Sequence, residues 1–292
     1  MSGTFYGVDV SHHQVPKSLD WTSMQRSGVK LGIARATYGL MVDRTCREHL
    51  ERMRDAGVSA VSVYHFFRPD QDVDSQMDAF LTAARAAGYG KPTDALPILD
   101  LEADTEKRPL RPSDAPNALA ALLRLEKEFG RPPVVYTTQR EWRQYLGAPH
   151  WIFSYPLHVA HYSAPSVIEP ATPNGMKWEI WQHRVGLFQA FGQSGFYKDD
   201  SPKIDQNRVR TIRLLNGTVV NAKVPKEETF PDQRKVVDID GTHLHRAKML
   251  DQILRAEAQY HATESTADNL EALRKEAHRE MMGDDDDGVP SS

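Results

Sequence analysis

The sequence predicts an α/β fold, a TIM-like β/α barrel with a C-terminal hairpin and helical extension, on three observations. Strand-like runs recur at residues 5–10, 31–36, 60–66, 96–101, 133–137, 157–161 and 178–182. Amphipathic stretches lie between several of them, an alternation that builds either a barrel or a doubly wound sheet. Seven or eight such units without a Gly-x-Gly-x-x-Gly turn favour the barrel, and a barrel of roughly 200–250 residues leaves part of the 292-residue chain for an appendage.

The helical patterns fall at residues 46–56, 73–87 and 113–129, the last opened by the start signal Pro112-Ser113-Asp114. Beyond about Asn207 the pattern changes. Residues 211–215 and 218–224 flank Asn216-Gly217, which predicts a hairpin whose type I′ turn takes two positive-φ residues. A polar linker follows at 225–233. Residues 244–260 carry Leu250, Ile253, Leu254 and Ala258 at helical spacing, and Ser265 to Asp268 resembles a capping box opening a second helix with Leu270, Leu273 and Ala277. The chain ends in an acidic run, 284–287, and a Gly/Pro/Ser tail that reads as disordered. These signals divide the chain into a barrel at 1–209, a hairpin and linker at 210–235, a helical extension at 236–283 and an acidic tail at 284–292.

A net charge of −4 argues against a nucleic-acid binder that works by neutralising phosphates. One cysteine, Cys46, excludes an intramolecular disulfide and a multi-cysteine zinc site. No segment approaches the ~20 apolar residues of a membrane span, and the N-terminus lacks a basic region followed by a hydrophobic stretch. The expectation is a chain without stable membrane insertion and without a signal peptide of its own.

The run Leu96 to Glu102 ends in two carboxylates separated by one leucine. Strand alternation puts Asp100 and Glu102 on one face and Leu99 and Leu101 on the other. Two acids that close repel unless one keeps its proton, and a carboxyl protonated near neutral pH is what general-acid catalysis requires. A solvated loop entry or a structural ion pair is the competing reading of such a triplet. The other strand ends bear on that choice: Asp9 with Ser11-His12-His13-Gln14, Arg35, Tyr64-His65-Phe66, Tyr136-Thr137, His161-Tyr162, Trp181-Gln182, and Asp205 with Asn207. In a barrel of this type the working groups gather at the C-terminal strand ends. Several acids and rings with few basic groups suit a polyhydroxylated ligand, since rings cover sugar faces while carboxylates and amides bind hydroxyls.

The order of these segments, from Gly7-Val8-Asp9-Val10-Ser11-His12-His13-Gln14 through Asp20-Trp21, Arg35-Ala36-Thr37, Tyr64-His65-Phe66, Leu96 to Glu102, Tyr136-Thr137, Ala160-His161-Tyr162 and Trp181-Gln182 to Asp205-Gln206-Asn207, resembles glycoside hydrolase family 25, the Chalaropsis-type lysozymes. The likeness spans about Phe5 to Val209. It implies a barrel that cleaves the β-1,4 bond between N-acetylmuramic acid and N-acetylglucosamine in peptidoglycan, as a phage endolysin or virion-associated lysin would, with no cofactor and no metal. Carried over by position, Glu102 matches the general acid, and Asp100 matches its partner carboxylate, which orients the substrate acetamido group or stabilises developing positive charge. Asp9 and Asp205 match two further pocket acids. Tyr64, Phe66, Tyr136, Tyr162, Trp181, Gln182 and Arg35 are the expected substrate-binding residues. Asp9 and Asp205 could instead be structural, Trp181 and Tyr136 plain barrel packing, and His12 and His13 loop hydrogen-bonders. The chain departs from the family pattern at His158 and His49.

Two other classes stay open on the residues. Asp9, His65, Asp100, Glu102, His161 and His183 could converge on a divalent ion in a metal-dependent hydrolase, although no His-x-His or His-Glu-x-x-His pattern supports it. A non-catalytic wall-binding or virion structural module is the other. The expected partners are peptidoglycan glycan strands, not nucleic acid. The extension shows no fixed-period repeat, so it reads as an oligomerisation or virion-docking element or as a pair folding back on the barrel. The expected location is the host cytoplasm before holin-type release, or the virion tail, with action on the bacterial wall.

Overall fold

Eight strands close into a barrel in the computed structural model, which describes residues 5–104, 108–162, 169–186 and 204–222. The chain divides into two units, Met1–Glu228 and Thr229–Ser292, and every described residue belongs to the first. The predicted linker at 225–233, the helices at 244–260 and after Ser265, and the acidic tail lie outside the described residues.

The strands are β1 (Phe5–Val10), β2 (Val29–Tyr38), β3 (Met41–Val42), β4 (Ala60–Phe66), β5 (Ile98–Asp100), β6 (Val134–Thr137), β7 (Leu157–Ala160), β8 (Ile180–Gly186), β9 (Ile204–Val209), β10 (Thr211–Arg213) and β11 (Val219–Asn221). The helices are α1 (Trp21–Arg26), α2 (Cys46–Asp55), α3 (Val73–Ala86) and α4 (Ala115–Phe129). Strands β1, β2, β4, β5, β6, β7 and β8 run parallel in that order. β9 runs antiparallel between β8 and β1 and closes the ring.

Alternation explains the core. Leu31, Ile33, Ala60, Leu96, Ile98, Val134, Ile180 and Val209 form one buried cluster, and Ile212 joins it from the β10–β11 hairpin. These residues sit at the end where the parallel strands start, which leaves the opposite end for polar groups. The next residues along the strands, including Val61, Val63, Leu99, Val135 and Val159, are buried on the outer face. Side-chain caps start two of the helices: Asp20 accepts the Ser23 N–H at 2.9 Å and Asp72 accepts the Ser75 N–H at 2.8 Å. Gly7 lets β9 come close, since a Cβ there would lie 2.9 Å from the Val209 side chain and 3.2 Å from the Asn207 Cβ.

Three expectations change. The run at 96–101 gives only three strand residues, because the Leu96 N–H is drawn to Arg213 O (2.8 Å) in the hairpin and Pro97 has no N–H to donate. The segment around Asp205, not predicted as a strand, is β9; its Asp-Gln-Asn-Arg centre carries no hydrophobic alternation. The Asn216-Gly217 turn is not type I′. Among the described residues only Ala148 and Asn174 are non-glycines at positive φ, while Gly217 has φ +88. The Gly217 N–H donates to Leu214 O and the Leu214 N–H to Thr218 O, both at 2.9 Å, as in a type I turn followed by a glycine bulge.

Candidate active site

At the C-terminal strand ends the inward positions change from apolar to polar. There they line a cavity of about 130 Å³ walled by Asp9, Tyr64, Asp100, Glu102, Tyr136, His158, Tyr162, Gln182 and Asp205, with Ile33 and Ile98 also lining it. β5 supplies its acids by simple alternation: Ile98, Asp100 and Glu102 line the cavity, while Leu99 and Leu101 are fully buried on the other side. Glu102 lies past the strand, but the backbone before it is still tied to β6. The Leu101 N–H donates to Tyr136 O and the Thr137 hydroxyl to Leu101 O, both at 2.9 Å.

A buried hydrogen-bond chain crosses the floor. The Asn207 amide donates to Asp9 Oδ2 (2.7 Å), and Gln182 Nε2 lies 3.1 Å from both Asp9 oxygens. His158 Nε2 bonds Asn207 Oδ1 at 2.9 Å, which fixes the amide orientation toward Asp9. At the other end, Gln182 Oε1 accepts from the Tyr136 hydroxyl (2.8 Å) and from Tyr162. Tyr136 also hydrogen-bonds Glu102. With one proton, its hydroxyl donates to Gln182 or to Glu102 at a given moment, so the protonation of Glu102 is read by the whole chain.

Four carboxyls in so small a space cannot all ionise freely. Burial comes first and raises Glu102 to about 7, the charges of Glu141 and Asp9 add to it, and the Tyr136 bond opposes. Asp205 is pushed up to about 8 by burial, then by the charges of Asp9 and Glu102. Asp100 is raised well above the usual range by burial and by Glu102, Asp9 and Asp205, against the pull of Arg35. Asp9 is raised by burial although Asn207, Gln182 and Asp205 hydrogen-bond it. Asp100 Oδ1 is buried with no hydrogen-bond partner, an acceptor waiting for a donor.

The structure gathers Asp9, Asp100, Glu102, Asp205, Tyr64, Tyr136, Tyr162 and Gln182 at the cavity, and leaves three expected residues off its wall. Trp181 faces outward. It is 1% exposed, packs against Trp178, Leu157 and Val159, and donates its indole N–H to His161 O at 2.9 Å. Adjacent strand residues take opposite faces, so Gln182 lines the cavity and Trp181 does not. Phe66 stacks on Tyr38 with ring centroids 4.8 Å apart. Arg35 is held by Asp43 (3.0 Å) and bonded to His12, and reaches the site through its charge on Asp100.

The three histidines of the metal alternative do not join Asp9, Asp100 and Glu102 on the cavity wall. His65 lies on the outer face, bonded to Thr37 Oγ1 (2.7 Å) and Gln76 Oε1 (3.2 Å), and burial holds it neutral with a pKa of about 3. His161 Nδ1 accepts the Ala171 N–H at 2.9 Å, and His183 stacks on Trp181. Among the described residues no group of three or more His, Cys, Asp or Glu is arranged around a metal position. Sequence reasoning missed Glu141, whose charge acts on Glu102; the available signal was an acid four residues past the β6 end.

Carboxyls of raised proton affinity beside tyrosines and amides, at the C-terminal mouth of a β/α barrel, are groups that glycoside hydrolysis can use. The family described as Glycosyl hydrolases family 25 matches residues 8–186, and the chain belongs to it. The fold is similar to the lysozyme of Streptomyces coelicolor (24% identity, TM-score 0.57, 70% of this chain and 91% of that one). It is also similar to a muramidase from Trichobolus zukalii (25%, 0.54, 70% and 93%) and to the CTP1L endolysin (23%, 0.52, 70% and 66%). No protein with a curated description matches the chain.

Proposed function

We propose that this lysozyme-family enzyme cleaves the β-1,4 bond between N-acetylmuramic acid and N-acetylglucosamine in peptidoglycan, with Glu102 as general acid. The observation that carries the reading is a carboxyl on the cavity wall whose burial and charged neighbours keep its pKa at about 7. Such a group holds its proton at working pH and can give it to the leaving glycosidic oxygen. Tyr136 orients it through the hydrogen bond described above. Asp100 accepts the substrate acetamido N–H at its unpartnered Oδ1, which turns the acetamido oxygen toward C1 as the glycosidic bond breaks. Water then opens the cyclic intermediate and returns a proton to Glu102. Acids two apart on one strand are poorly placed to flank both faces of a sugar ring, which favours this assisted route or direct water attack over an aspartyl ester. Tyr64 and Tyr162 supply ring surface and hydroxyls for the sugar.

The biological setting we propose is a phage lysin, released through a membrane lesion or carried in the virion, with residues 236–283 as its oligomerisation or docking element. Deleting residues 236–292 is expected to lower the number of chains per particle in solution while leaving glycan cleavage in place; a monomer with or without these residues overturns the oligomerisation role. Mass spectrometry of digested peptidoglycan is the primary test. Reducing muramic-acid ends are expected from the wild type, and Glu102→Gln is expected to lose roughly 10²–10⁴-fold in rate while still binding the wall. An unchanged rate in that variant would remove Glu102 from the role. A glycosyl ester trapped on Asp100 would replace the assisted route.

A further inference from the structure

Glu141 stands on a single π-helical turn, Glu141–Tyr145, just after β6. Such turns are uncommon and gather at functional sites. This one is anchored at its start, where the Glu141 N–H donates to the Thr138 hydroxyl at 2.9 Å. The Glu141 carboxylate accepts the backbone N–H of Ala103, the residue that follows Glu102. With Leu101 N–H on Tyr136 O and Thr137 on Leu101 O, both at 2.9 Å, residues on both sides of Glu102 are tied to β6 and its continuation. β5 ends at Asp100, so the stretch carrying Glu102 depends on these bonds for its position.

The same carboxylate has a second property. Its Oε2 is buried with no hydrogen-bond partner, so its charge is not spread over further donors. The neighbouring cation, Arg140, bonds the Tyr145 hydroxyl at 2.8 Å and lies 5.4 Å from that ring, and it offsets only part of the charge.

We propose that Glu141 is a positioning residue for the general acid: it clamps the Glu102–Ala103 peptide and presents a buried carboxylate beside Glu102. The inference rests on the reading of Glu102 as the acid. The groups facing Glu102 are Asp100 from β5, Asp9 from β1, Asp205 from β9, and the Tyr136 and Tyr162 hydroxyls, with Arg35 acting through Asp100. Of the charges that raise Glu102, that of Glu141 is the largest. Burial raises Glu141, and the Arg140 charge and the Ala103 N–H both favour its charged form.

Two variants separate clamp from charge, and kcat and kcat/KM on soluble glycan fragments across pH 4–9 read them. Glu141→Gln keeps an acceptor for Ala103 and loses the charge, so the alkaline limb of kcat/KM is expected to move to lower pH by about 0.5–1 unit. Glu141→Asp keeps the charge but falls short of Ala103, so kcat is expected to drop about 10-fold with the limb in place. A thermal melt of each variant checks folding. If both variants keep the wild-type limb and kcat while Glu102→Gln is inactive, the inference falls and the proposed function stands. The same holds if Gln and Asp give identical profiles. If Glu102→Gln keeps full activity, the proposed function falls and takes this inference with it.

Discussion

Burial holds the Glu102 carboxyl at about 7 against 4.5 for an ordinary glutamate, so the folded chain takes up a proton there that the unfolded chain releases. The stabilisation from that proton is fully present below about pH 4.5 and is lost as pH rises through 7, a cost on the order of 3 kcal/mol at alkaline pH. Glu102→Gln removes the ionisation. Its Tm is expected to exceed the wild-type value at pH 8 and to match it near pH 4, measured by calorimetry; equal melting at pH 8 would show that the site carries no such strain. The acids were legible in the sequence because a strand's alternation puts Asp100 and Glu102 on one face whatever surrounds them. Trp181 and Gln182 show the limit. Both stand in the same strand-like run, and only the closed barrel decides which of two adjacent residues faces inward. Glu141 offered only its place four residues past β6, because its ties to Glu102, through the Ala103 backbone and through charge, are contacts that no local spacing encodes.

Among elements, β9 departs furthest from its expectation. Its residues alternate between the barrel interior and the outer face, yet two of the three inward members are Asp205 and Asn207, with only Val209 apolar, so no apolar period marks a strand. What makes it a strand is pairing on both sides, Gly7 with Asn207 and Asp9 with Asp205 toward β1, and Gln182 with Asn207 toward β8. Tertiary context supplied what propensity did not. The predicted helices at 46–56, 73–87 and 113–129 fared better. Their α-helical parts span Cys46–Asp55, Val73–Ala86 and Ala115–Phe129, the last preceded by a 3₁₀ turn at Pro112–Asp114, because their apolar stripes face a sheet that any such arrangement would supply. The β1–β9 contact yields a prediction. A Cβ at Gly7 meets Val209 Cγ2 at 2.9 Å and Asn207 Cβ at 3.2 Å, so Gly7→Ala presses on the residue that holds Asp9. The cost is expected to be about 1–3 kcal/mol in urea unfolding, together with a fall in kcat. Lost stability with wild-type kcat would mean that the strain relaxes away from Asn207.

At the scale of the molecule, buried histidines and buried acids set opposite slopes of stability with pH. His65 and His158 are neutral in the fold, lowered by burial to about 3 and about 4, whereas the unfolded chain protonates them at about 6.5. Their contribution is complete above pH 6.5 and is lost as pH falls toward 4 and below. Burial on its own would raise Asp43, but the hydrogen bonds from Thr45 and His12 and the Arg35 charge together outweigh it and lower the carboxyl, which adds to the loss at the acid end. Glu102 and Asp205, raised to about 7 and about 8, lose their contribution in the other direction, from about pH 4 upward. Among the described residues the raised acids govern the alkaline side, and the lowered histidines, with Asp43, Asp70 and Asp72, the acid side. Stability is therefore expected to peak between about pH 4.5 and 6.5 and to decline on both sides. Calorimetric Tm from pH 3 to 9 measures the curve. Asp205→Asn is expected to flatten its alkaline side and His158→Gln its acid side, each leaving the opposite slope in place. A maximum above pH 8 would mean that the acid cluster sheds its protons without resistance from the fold, and Glu102 would then lack the proton that its proposed chemistry needs.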